Sequence, residues 1–167
     1  MEIIIVGCGK VGYTLATQLS NEDHNIVVVD KNPDKVEHIT SDLDAMGVVG
    51  NGVSYQTLQE AGVSSADLVI AVTGSDEENL LCCVIAKKAG NCKTIARVRN
   101  PIYNEEIETK KAFSRCFLLS KDCVSNEIYL HLQGYLWALE KKGATCPIVF
   151  TGYWHLIQKR KKYTIHF

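Results

Sequence analysis

Short β-branched apolar runs return at regular intervals through the first hundred residues, and a segment of helical spacing separates each from the next. Glu2–Val6 (EIIIV), Asn25–Asp30 (NIVVVD), Ala45–Val49, Asp67–Thr73 (DLVIAVT) and Thr94–Val98 read as strands. Runs that are apolar at consecutive positions belong to strands covered on both faces. Between them, Val11–Leu19 places Val11, Leu15 and Leu19 at helical spacing, and Asn32-Pro33 supplies an N-cap and a first helical residue. Ser54–Ala61 reads as a short helix and Asp76–Ala89 as a long one. Strand–helix alternation with short connections leads to the α/β class: a doubly wound parallel sheet of about six strands with helices on both faces.

The pattern continues more faintly. Pro101 opens a helix through about Ala112, Cys116–Leu119 is a sixth strand, and Cys123–Gln133 another helix. From Gly134 it fades: Ala138–Gly143 ends on a Lys-Lys-Gly helix stop, Cys146–Tyr153 reads as a strand, and Trp154–Phe167 mixes aromatics with a basic run. The expected division is a sheet domain over 1–133 and a divergent tail over 134–167.

Composition narrows the class of molecule. With 167 residues and 46% hydrophobic content the chain can build a core, and only 3 prolines with no low-complexity tract exclude a disordered chain. Ile3–Val6 and Leu68–Thr73 are far shorter than the ~20 apolar residues that span a bilayer. Met1-Glu2 leads into a strand and not into a basic leader, so a cytosolic chain is expected. The 7 cysteines are odd in number, contain no C-x-x-C and have no histidine at ligand spacing; they read as buried reduced thiols, with no metal site.

Charge is divided unevenly. Residues 1–80 carry 3 basic and 13 acidic side chains, and residues 81–167 carry 15 basic and 6 acidic. The basic residues of the second half are scattered apart from Lys159-Arg160-Lys161-Lys162, which argues against nucleic acid; complementary halves favour self-association.

The strongest chemical signal is Gly7-Cys8-Gly9-Lys10-Val11-Gly12. A G-x-G-x-x-G alone is weak, but here a buried strand precedes it, an amphipathic helix follows, and an acid ends the next strand. Gly7 permits the tight turn, Gly9 admits a pyrophosphate close to the backbone, and Gly12 lets the helix pack on the sheet, with its amino terminus turned to anionic oxygens. Asp30, 18 residues after Gly12, is placed to accept hydrogen bonds from both hydroxyls of an adenosine ribose and to repel a 2′-phosphate. The sheet is thus of Rossmann type, with NAD(H) or ATP/ADP favoured over NADP.

Two further loops follow strands at their carboxyl ends. Gly50-Asn51-Gly52 offers Asn51 to adenine or ribose, and Thr73-Gly74-Ser75-Asp76 offers Thr73 and Gly74 to the groove. Asn-Gly is also an ordinary turn pair, and Ser75 also suits a helix cap. Arg97 and Arg99 alternate along the fifth strand and share a face; Arg97, nearer its centre, needs either a ligand phosphate or a carboxylate from a neighbouring helix.

No Ser-His-Asp order, Lys-Tyr pairing or metal-ligand cluster stands out, and the 5 histidines fall outside these loops. Few residues follow the dinucleotide-binding unit, which favours a ligand sensor over a catalyst. The alternative is a small NAD-dependent oxidoreductase or a fragment of one.

Residues 2–107 contain IIIVGCGKVGYTLATQLSNEDHNIVVVDKNPDKV, GNGVSYQTLQEAG, ADLVIAVTGSDEENLLCCVIAKKAG and TIARVRNPIYNEEI. They resemble the RCK (regulator of potassium conductance) family, specifically the TrkA N-terminal domain of Trk-type bacterial potassium uptake systems. S-D-E-x-N-L together with A-R-V-R-N-P is more specific than the glycine loop and separates the chain from ordinary dehydrogenases. The resemblance implies a non-catalytic homo-oligomer, a dimer or a tetrameric ring. It would bind NAD(H) or ATP/ADP and gate a membrane potassium channel or transporter from the cytoplasmic face. It also implies that Gly7, Cys8, Gly9, Lys10, Val11 and Gly12 form the phosphate loop and that Asp30 takes the ribose. Lys31 and Asn32 would flank the adenosine, Asn51 and Gly52 contact its adenine side, Thr73 and Gly74 line the groove, and Arg97 face the phosphates. One departure is Ser120-Lys121, where the family shows a Pro-Glu turn; Ser125–Ile128 again resembles the start of its next helix.

Overall fold

A computed structural model of the chain describes residues 1–90, 92–100, Tyr103 and the backbone of Cys116–Leu119. The elements are β1 (Glu2–Val6), α1 (Lys10–Ser20), β2 (Asn25–Asp30), α2 (Pro33–Asp42) and β3 (Ala45–Val49). They continue with α3 (Tyr55–Glu60), β4 (Leu68–Ala71), α4 (Asp76–Gly90), β5 (Lys93–Arg97) and β6 (Cys116–Leu119). All pairings are parallel, in the order β3-β2-β1-β4-β5-β6. The expected Rossmann-type sheet of about six strands is therefore observed. No helix among the described residues is long and apolar enough to cross a membrane.

The central strands are buried from both sides because β1, β2 and β4 are apolar at consecutive positions, Ile3–Val6, Ile26–Val29 and Leu68–Ala71. Ile3 and Ile5 of β1 face Leu15 and Leu19 of α1 and Val36 and Ile39 of α2. Ile4 and Val6 face the other way, with Leu58 of α3 and Cys82, Cys83 and Ala86 of α4. Each isoleucine, leucine or valine among them contributes about 1.5–3 kcal/mol on leaving water. The edge strand β3 is partly exposed, in keeping with its place. The chain winds outward from β1 to β3, then returns past β1 to form β4. The crevice at the carboxyl ends of β1 and β4 is consequently a topological switch point, where open α/β sheets bind ligands.

Helix starts follow local chemistry. Asn32 caps α2, its Oδ1 accepting from the Asp34 N–H at 2.9 Å, with Pro33 as the first residue. Ser54 caps α3 through the Thr57 N–H, and Ser75 caps α4 through the Glu78 N–H at 3.2 Å. No side chain caps α1.

Two strand ends differ from expectation. β4 stops at Ala71, not Thr73, because the Thr73 N–H donates to Asn79 Oδ1 at 2.8 Å instead of to a ladder. β5 runs Lys93–Arg97, so Arg99 lies beyond it, where the N–H groups of Arg99 and Asn100 turn to Asp76 Oδ2 at 2.8 and 2.9 Å. The expected helix over Cys123–Gln133, the tail over 134–167, Ser120-Lys121, Ser125–Ile128 and, Tyr103 apart, the helix from Pro101 to Ala112 lie outside the described residues.

Candidate functional site

The glycine loop closes the crevice floor. Gly7 has φ +107°, and a Cβ there would meet Thr73 N at 2.9 Å, so only glycine lets β1 turn this close to the loop after β4. A Cβ on Gly12 would sit 1.8 Å from Gly7 O, which is how α1 starts flat against the loop. Gly9 is different. Its backbone is extended (φ −77°, ψ −174°), and an added Cβ meets nothing within 4 Å. The protein's own packing gives Gly9 no reason to be glycine. The same holds for Gly74 across the crevice, and both line it.

Asp30 is held at the end of β2 by two backbone donors. Cys8 N–H donates to its Oδ2 at 2.7 Å and Asn32 N–H to its Oδ1 at 2.9 Å. A carboxylate has about four lone-pair sites, so acceptor capacity remains on the crevice side for about two more donors. Burial, and then the Asp30 charge, push the Cys8 thiol up to about 12, so it stays protonated.

The opposite wall is pinned by Asn79, which is fully buried. Its Oδ1 accepts from Thr73 N–H at 2.8 Å and Thr73 Oγ1 at 2.7 Å, while its Nδ2 donates to Arg97 O at 2.8 Å. One carboxamide thus joins the ends of β4 and β5. Arg99 donates from Nε to Asp76 Oδ1 at 3.0 Å and from its guanidinium to Gly74 O. The helix carboxylate expected as one alternative for Arg97 is taken by Arg99. The Arg97 side chain lines the crevice, and its guanidinium makes no hydrogen bond or ion pair among the described residues. Burial, and then the Arg99 charge, hold its guanidinium below its usual value, with Asp76 offsetting in part.

On the third side, Asn51 Oδ1 accepts from Val53 N–H at 3.2 Å, forming a turn at the crevice edge. A Cβ on Gly52 would lie 2.1 Å from Val6 Cγ1, so this loop is laid directly on β1.

These walls enclose a crevice of about 560 Å³, within the usual range for small-molecule sites. Gly7, Gly9, Lys10, Val11, Asp30, Lys31, Asn51, Gly52, Thr73, Gly74 and Arg97 all line it. Cys8, Gly12 and Asn32 do not. Cys8 and Asn32 orient Asp30 through their N–H groups, and Gly12 seats α1. Sequence reasoning missed Lys35 and Glu78, which also line the crevice, and Asn79 behind it. The S-D-E-x-N-L motif contained two of these three without indicating what they do. The 3 basic residues among the first 80 are Lys10, Lys31 and Lys35, and every one lines the crevice. Among the described residues no group of three or more His, Cys, Asp or Glu is arranged to hold a metal ion.

Comparison with known proteins gives a family. The TrkA-N domain model matches residues 3–115. The Trk system potassium uptake protein TrkA homolog of Methanothermobacter thermautotrophicus is 39% identical over 105 residues, 63% of this chain and 49% of that protein. TrkA of Azorhizobium caulinodans is 35% identical over 129 residues, 77% of this chain and 28% of that one. This chain therefore spans about half or less of the length of these relatives. Among solved structures, the GsuK channel bound to NAD shares 27% identity and a TM-score of 0.57 over 64% of this chain and 19% of that one. GsuK bound to ADP gives the same identity, TM-score and coverage of this chain, and 28% of that one. With a parallel switch-point sheet, a glycine loop and a match over most of its length, the chain belongs to the TrkA-N domain family.

Proposed function

We propose that the crevice binds an adenine nucleotide, NAD(H) foremost with ADP or ATP as the alternative, and that its occupancy regulates a membrane potassium uptake system. One observation carries the reading: a segment with 13 acidic residues directs all 3 of its basic residues into one crevice, opposite Arg97. Such a concentration of cations favours a polyanion. The uncapped amino terminus of α1 beside Gly9, Lys10 and Val11 takes the pyrophosphate. Asp30 takes the ribose hydroxyls, and Arg97 supplies the counter-charge from the far wall. Lys31 and Asn32 stand at the adenosine, Asn51 and Gly52 on its adenine side, and Thr73 and Gly74 along the groove.

The names of the relatives, and the nucleotides in the two GsuK structures, support a regulatory role over a catalytic one. The chain works as a homo-oligomer on the cytoplasmic face of the membrane, against a potassium transporter or channel subunit. A nucleotide shifts that assembly only by the difference in its affinity for the two states. Calorimetric titration with NADH, NAD, ADP and ATP tests the reading. Binding in the micromolar range, weakened by Asp30→Ala and unaccompanied by NADH oxidation on simple carbonyl compounds, is the expected result. Absence of binding to all four refutes it.

A further inference from the structure

Lys31 and Glu78 bond each other across the crevice at 2.5 Å. Lys31 follows β2, and Glu78 lies in the first turn of α4, after β4. Because β2 and β4 flank β1 on opposite sides, the pair spans the carboxyl edge of the sheet above the glycine loop. Both side chains line the crevice at its partly exposed rim, with 54% and 38% of their surface in solvent.

The two acids next to Glu78 are committed elsewhere. Asp76 holds Arg99 and the N–H groups of Arg99 and Asn100. Glu77 accepts from the Tyr103 hydroxyl at 2.7 Å and from Ser75 Oγ at 2.7 Å. The favourable interaction of acids with the amino terminus of α4 is thus already provided. Ser75 caps the helix through the Glu78 backbone, not its side chain. Of the three carboxylates, Glu78 is the one that lines the crevice, among Lys10, Lys31, Lys35 and Arg97.

A carboxylate that occupies a cation of an anion-binding crevice competes with the ligand for that cation. We propose that Glu78 is an internal competitor for Lys31: an acceptor group of the nucleotide gains the Lys31 ammonium only by displacing the Glu78 carboxylate, so Glu78 lowers the affinity of the site. The proposal rests on the nucleotide-binding reading of the same crevice and adds a residue that sets its affinity. A ligand that takes Lys31 frees the first turn of α4 from the β2 side, so the same exchange releases one link between the two walls.

A double-mutant cycle on the full chain tests it, by calorimetry with ADP and with NADH on wild type, Glu78→Gln, Lys31→Met and the double variant. Removing a partly exposed competitor is expected to tighten binding about two- to fivefold. Lys31→Met weakens binding, and Glu78→Gln gives no gain in the Lys31→Met background. The gain also shrinks as ionic strength rises. Glu78→Gln binding as wild type or more weakly overturns the proposal, the second outcome assigning Glu78 to a direct ligand contact. An equal gain in the Lys31→Met background also overturns it, since that is general repulsion and not competition for one cation. Failure of wild type to bind either nucleotide refutes the nucleotide reading itself, whereas wild-type binding without the gain refutes only the competition.

Discussion

Gly9 and Gly12 belong to one motif but are glycine for different reasons, and alanine at each position separates those reasons. At Gly12 the new Cβ would lie 1.8 Å from Gly7 O, so α1 must retreat by about 1.2 Å to reach even 3.0 Å. Overpacking of that severity costs about 3 kcal/mol, a large share of the roughly 5–15 kcal/mol that holds a domain together. At Gly9 the Cβ meets nothing within 4 Å, and the backbone is extended. Alanine there loses about 0.5–1 kcal/mol as a poorer N-cap and recovers about 0.4–1 kcal/mol by restricting the unfolded chain. The two nearly cancel. A nucleotide phosphate, however, can no longer reach the amino terminus of α1, and losing one hydrogen bond to a charged group costs about 1.5–3 kcal/mol, at least about tenfold in affinity. Urea unfolding and calorimetry with NADH on both variants decide the matter. Gly9→Ala is expected to unfold at the wild-type midpoint and bind at least about tenfold more weakly; Gly12→Ala fails in both. Wild-type affinity in Gly9→Ala, or a midpoint as low as that of Gly12→Ala, would refute the reasoning.

Asn79→Ala strands the Thr73 N–H and the Arg97 carbonyl in a part-buried place. At about 1–3 kcal/mol each, the melting temperature should fall by roughly 4 °C or more, as thermal unfolding would record. Arg97→Met should weaken ADP and NADH binding about tenfold or more in a calorimetric titration, while leaving the urea midpoint unchanged or higher, because a partly desolvated cation is removed. The Tyr103 hydroxyl, and then that of Ser75, lower Glu77 from its ordinary 4.5 to about 2. The stability this contributes is fully present above pH 4.5 and lost as pH falls through about 2, so Glu77→Gln should flatten the change in urea midpoint between those values.

The parallel sheet was legible because β1, β2 and β4 are apolar at consecutive positions, a pattern that only coverage on both faces explains. The glycine loop and Asp30 were legible because their spacing within a strand–turn–helix–strand unit is itself the geometry. Arg99 was misplaced for a long-range reason: alternation continues past Arg97, but the strand ends where Asp76, 23 residues earlier, captures the backbone. Asn79 looked like an ordinary helix residue, since its role needs a carbonyl 18 positions later. Lys35 and Glu78 read as surface charges on helices. Only the folding of three strand ends onto one edge shows that they share a crevice with Lys10 and Lys31.

With the crevice read as a nucleotide site, the bond from the Cys8 N–H to Asp30 Oδ2 bears on how such a chain could change its choice of dinucleotide. Replacing the acid at the end of β2 is the simplest route to accepting a 2′-phosphate. Here the same carboxylate anchors the backbone of the glycine loop, so on the proposed reading discarding it for specificity would also loosen the loop assigned to the pyrophosphate. A switch of cofactor must therefore cross an intermediate that holds either dinucleotide poorly. A second substitution that restores an acceptor for Cys8 has to arrive with the first, or before it. On that reading the domain's preference among dinucleotides would be locked by its own main chain.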